Sequence, residues 1–144
     1  MNTEAFETQV SGTHYKNYPM QPIELFMMLG WEYDLCAMYK YILRHQDKNG
    51  ADDIKKALHM MCFADNYRLP GKYQDNTPSI KNVATIQAFC RVNNLGKVTP
   101  TDTTTHERLL LAIEQKQWVI VQNLCIHILA DEYDEEPSKE ILLF

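Results

Sequence analysis

Lys40, Arg44 and Lys48 recur at i, i+4 and i+8 in a stretch whose apolar residues keep helical spacing, so their cations are expected to stack on one helix face. Like charges in such a row repel by roughly 0.2–0.5 kcal/mol per pair, and the stripe needs counter-charge. The chain offers Glu24, Asp47, Asp52 and Asp53 for a solvated, self-neutralised face. A ligand phosphate is the other source. Arg44 would hold phosphate oxygens as a bidentate fork, with Lys40 and Lys48 as point charges. Just upstream, His14 and Tyr15 pair an imidazole with a phenol, groups that stack on a base or donate to a phosphate, or simply form a surface pair. Glu24 and Asp53 each fall in the first turn of an expected helix, where a carboxylate complements the helix dipole.

The common signatures of phosphate loops, dinucleotide folds, zinc proteases and serine hydrolases are absent from the sequence. His45, His59, His106 and His127 share no metal-ligand spacing with each other or with carboxylates, so they read as ordinary polar or half-buried residues. Cys36, Cys62, Cys90 and Cys125 are widely separated with no CxxC pair, which predicts buried thiols rather than a zinc site. Met27, Met28, Met38, Met60 and Met61 read as core.

The elements that would position these groups are all helical. Residues 1–20 form an irregular arm. Pro22 suits a first helical turn, Ile23 to Leu29 continue it, and Gly30 ends it. Leu35, Met38, Tyr39, Ile42 and Leu43 define a second helix over about Tyr33 to Gln46, followed by a Lys48-Asn49-Gly50 turn. A third helix runs from Ala51 to Tyr67 and is stopped by Leu69-Pro70-Gly71. Beyond residue 72, Thr77-Pro78 opens a helix that ends at Asn93-Asn94, and Val98–Thr105 is a loop. His106–Gln115 and Trp118–Glu132 are one bent helix or two. Trp118-Val119-Ile120-Val121 has strand character, but Leu124, Cys125, Ile128 and Leu129 continue a helical period. The fold expected is an all-α bundle of five or six helices, divided as 1–20, 21–72, 73–133 and an acidic, apolar-ended tail over 134–144.

The chain has 144 residues, is 45 % apolar and 23 % charged, and carries a formal charge of −5. That is one globular unit able to bury its own core. The acidic balance argues against direct nucleic-acid binding through global charge, and no apolar run is long enough to span a bilayer. The opening residues lack a basic, apolar leader pattern, so a cytoplasmic protein is expected. Short helices such as Pro22–Leu29 rarely enclose a deep pocket alone, which makes a homo-oligomer the expected assembly.

Five blocks stand in order: His14-Tyr15, Gln21-Pro22-Ile23-Glu24, Lys40-Tyr41-Ile42-Leu43-Arg44, Lys48-Asn49-Gly50 and Asp53-Ile54-Lys55-Lys56-Ala57. Over about residues 13–68 this resembles a small bacteriophage-encoded family with HY, QPIE, KY(I/V)xR, KNG and DLxKA blocks. That family is largely uncharacterised and includes a nucleotide kinase without a Walker motif. The resemblance implies that His14, Tyr15, Gln21, Glu24, Lys40, Arg44, Lys48, Asn49 and Asp53 gather around one nucleotide site in the host cytoplasm. It implies a nucleoside monophosphate kinase in which Lys40 and Arg44 neutralise the transferred phosphoryl group. Glu24 or Asp53 would orient the acceptor or a Mg²⁺ ion, with ATP or another NTP as donor. The family pattern places Gly-Asn where this chain has Cys36-Ala37, so an amide side chain is missing. A nucleotide or cyclic-nucleotide sponge that counters host defence is the alternative, and a helical protein-interaction adaptor the third.

Overall fold

The computed structural model describes residue 4 and residues 17–67, 79–95 and 105–144. Among these the architecture is all-α, with six helices and no strand. They are α1 (Pro22–Leu29), α2 (Tyr33–Arg44), α3 (Ala51–Tyr67), α4 (Ile80–Val92), α5 (Thr105–Glu114) and α6 (Trp118–Tyr133), with a 3₁₀ turn at Lys139–Ile141. Leu69-Pro70-Gly71, Thr77-Pro78 and residues 98–104 lie outside the described residues; α4 is capped by Ser79, whose hydroxyl accepts the Asn82 N–H at 3.3 Å.

Local chemistry explains the boundaries. Pro22 occupies the first turn of α1, the Glu24 carboxylate accepts the Gln21 N–H at 2.6 Å, and Gly30 ends the helix in the left-handed region at φ 66°. Lys116, at φ 54°, separates α5 from α6, so the segment expected as one bent helix or two is two. Trp118 to Val121 is helical.

The long pair α2–α3 forms one wall; α3 packs on α6, α6 on α5, α5 on α4 and α4 on α1, while α2 also touches α5 across the middle. Tyr39 sits fully buried at the centre, edge-on to Phe26, Phe89 and the His106 ring, with its hydroxyl 2.9 Å from His106 Nδ1. Burial holds that phenol well above its ordinary pKa, so it stays neutral. His45 and His106 are thus buried and hydrogen-bonded, more deeply placed than their sequence context suggested. Cys62, Cys90 and Cys125 are buried free thiols and Cys36 is half-buried. Met38 and Met61 are in the core, but Met27 and Met28 are 76 % and 50 % exposed, because α1 turns that face away from α4. Ile80, expected on an apolar face, is exposed at the start of α4.

The tail docks on its own chain. The buried Gln122 side chain accepts the Leu143 N–H at 2.7 Å and donates to the Phe144 carbonyl at 3.2 Å, while Ile141 and Leu143 pack against the core. No helix among the described residues is long and apolar enough to cross a membrane.

Candidate functional site

α1 packs on α4 and leaves a gap toward its sequence neighbour α2. That gap is a cavity of about 320 Å³ lined by Gln21, Pro22, Ile23, Phe26, Tyr33, Cys36, Ala37 and Lys40. Its walls are mainly apolar and aromatic, with the Gln21 amide and the Lys40 ammonium as polar groups, and its volume lies at the small end of ligand sites, about 300–1,000 Å³. Cys36 and Ala37 both stand in this wall. Burial and the neighbouring Asp34 push the Cys36 thiol up, so it is a poor nucleophile.

Lys40 links the cavity to a second feature. Its Nζ lies 5.1 Å from the centre of the Tyr41 ring, Arg44 Cζ lies 4.8 Å from the same centre, and Lys56 Nζ reaches it from α3 at 5.7 Å. Three cations therefore share one aromatic deck in a chain of net charge −5. The expected stripe differs at its third member. α2 ends at Arg44, so Lys48 lies in the following turn, exposed and off the helix face, and Lys56 takes the place beside Lys40 and Arg44. Lys56 follows from the α2–α3 pairing, which spacing within one helix does not reveal.

The turn is built around Asp53. Its carboxylate is fully buried and accepts the Asn49 backbone N–H at 3.2 Å, the Asn49 side-chain N–H at 3.4 Å and Arg44 Nη2 at 3.3 Å. Gly50 follows at φ 57°, where a Cβ would stand 3.2 Å from Tyr133 Cε1. On the other side His45 Nδ1 lies 2.6 Å from the Tyr133 hydroxyl, and Gln46 donates to Glu132 at 2.8 Å. Burial, with Glu132 and Asp53 nearby, raises the Tyr133 phenol.

Of the nine residues the sequence singles out, Lys40 and Gln21 meet at the cavity, and Arg44, Asn49 and Asp53 meet at the turn. Glu24 is engaged in capping α1, and Lys48 stands exposed in the turn, in contact with neither group among the described residues. His14 and Tyr15 lie outside the described residues. No group of three or more His, Cys, Asp or Glu side chains suited to a metal occurs among the described residues. A second depression of about 340 Å³ lies on α5 and α6 between Arg108 and His127, apart from the α2–α3 cations. No protein family, curated protein or solved structure matches the chain.

Proposed function

We propose that this chain is a nucleotide-binding protein, with the base and sugar seated in the α1–α2 cavity and phosphate received by Lys40 at its edge. The observation that carries this reading is the double position of Lys40, which lines the cavity and stands over Tyr41 with Arg44 and Lys56. Phe26 and Tyr33 supply aromatic surface for a base.

Retention of the nucleotide without turnover is favoured. Both carboxylates that would orient an acceptor phosphate are engaged: Glu24 with the Gln21 N–H, and the buried Asp53 with Arg44 and Asn49. Phosphoryl transfer from an NTP with Mg²⁺ is the second reading, supported by the five sequence blocks. It requires Glu24 or Asp53 to leave its present partner.

Calorimetric titration with nucleotides tests the site. Lys40→Ala is expected to weaken binding about 10- to 100-fold, the worth of one charge-assisted contact. Ala37→Leu fills the cavity wall and is expected to abolish binding of the nucleoside part, with circular dichroism checking that the bundle remains folded. Wild-type affinity in both variants would remove the proposal.

A further inference from the structure

We propose that the deck formed by Tyr41, Arg44 and Lys56 is a second phosphate seat, so that the preferred ligand carries two or more phosphoryl groups. This rests on the nucleotide reading for the cavity and extends it along α2. A monophosphate reaching Lys40 from the cavity leaves Arg44 and Lys56 unused, because both stand at the Tyr41 ring and neither lines the cavity.

Three features point to an anion at this deck. Among the described residues neither Lys40 nor Lys56 has a carboxylate partner, while Lys55, one residue from Lys56, pairs with Glu135 at 2.7 Å. Among the described residues the anion that meets the cluster is Asp53, which reaches Arg44 through a single 3.3 Å contact rather than a fork. The Arg44 Nε–H is buried and has no hydrogen-bond partner, although the side chain as a whole is 22 % exposed. A guanidinium with one long contact and an unmet buried donor is under-satisfied, and a phosphate oxygen would add a charge-assisted contact at its exposed part, the Nε–H being reached only if the side chain turns. The ring faces hold the two ammonium groups only weakly at this degree of exposure, so they can swing onto a phosphate without losing a strong bond.

The ligand class follows from size and charge. The site joins one apolar cavity to one compact group of three cations, which fits a nucleoside di- or triphosphate or a small phosphodiester ring with two phosphates. A long nucleic acid would need a continued basic surface, and the chain as a whole is acidic at −5.

The test titrates the full chain with a nucleoside mono-, di- and triphosphate series, with inorganic tripolyphosphate, and with a mixed-sequence DNA oligonucleotide. The proposal expects affinity to rise about tenfold or more from mono- to triphosphate, the worth of an added charge-assisted contact. It expects Lys56→Ala, an exposed substitution compatible with folding, and its charge reversal Lys56→Glu to collapse that rise. Tripolyphosphate binding that depends on Lys56 and survives Ala37→Leu supports the seat even if no nucleoside contributes, in which case the cavity reading alone fails. Equal affinities along the series, unchanged by either Lys56 variant, overturn the seat while leaving the nucleotide reading intact. No binding of any probe overturns both. DNA binding tighter than tripolyphosphate overturns the seat in favour of a nucleic-acid surface.

Discussion

Asp53→Ala is expected to destabilise the fold by about 3 kcal/mol, because it removes the carboxylate on which the α2–α3 turn is built. Asp53 is fully buried and serves three donors: the Arg44 guanidinium, the Asn49 backbone N–H and the Asn49 amide. Without it two amide donors and a cation lose their acceptor. Arg44 retains some access to water, which keeps the loss at the lower end for a broken buried pair. The cost is a large fraction of the roughly 5–15 kcal/mol available to a domain. Asp53→Asn keeps the shape and one acceptor and should lose less. Urea unfolding followed by circular dichroism gives the ranking; an Asp53→Ala midpoint equal to that of the wild type would show that the turn is held by other contacts.

The second large effect is alkaline destabilisation. Cys125 is fully buried and Cys90 is 8 % exposed, and burial, with Glu107 adding at Cys90, pushes both thiols from 9.0 up to about 12. Below pH 9 both are protonated in the folded and unfolded chains and contribute nothing to the pH dependence. Above it the unfolded thiols ionise while the folded ones stay neutral, so the unfolded state holds fewer protons and stability falls as pH rises toward about 12. Each thiol's loss approaches about 1.4 kcal/mol per pH unit within that window, and the pair costs about 2 kcal/mol between pH 9 and pH 10. The unfolding midpoint should drop correspondingly from pH 8 to pH 10, and a Cys90→Ala, Cys125→Ala double variant, less stable at pH 8, should show a shallower fall. Parallel profiles for the two proteins would contradict this account. The buried Tyr39 hydroxyl, also raised, acts in the same direction at still higher pH.

What was readable from sequence was local. Pro22 and Gly30 fixed the ends of α1 because proline needs no donor in a first turn and glycine accepts the left-handed cap. The limits of α3 followed from the turn residues that flank it, and the helical state of Trp118–Tyr133 from apolar spacing. Long-range pairing was not readable. Tyr39 and His106 meet across 67 residues, and Gln122 holds a tail 21 residues away. Lys56 joined the cation deck through helix packing, whereas Lys48 left it because the hydrogen bond from the Gly50 N–H to the His45 carbonyl closes the turn. The two carboxylates show the same limit: both lie in first turns, as the sequence suggested, but the burial of Asp53 and its contacts with Arg44 and Asn49 were not legible.

The most direct test of nucleotide binding is the melting temperature of the intact chain with mono-, di-, tri- and cyclic nucleotides, followed by mass spectrometry of each ligand recovered. Ligand at about 100 times its Kd adds about 2.7 kcal/mol to the native state, an increase of about 5–10 °C for a domain of this size. The account predicts such a rise for a polyphosphate nucleotide, its reduction by about half or more with Lys40→Ala, and recovery of the ligand unchanged. A melting temperature indifferent to every nucleotide would contradict it.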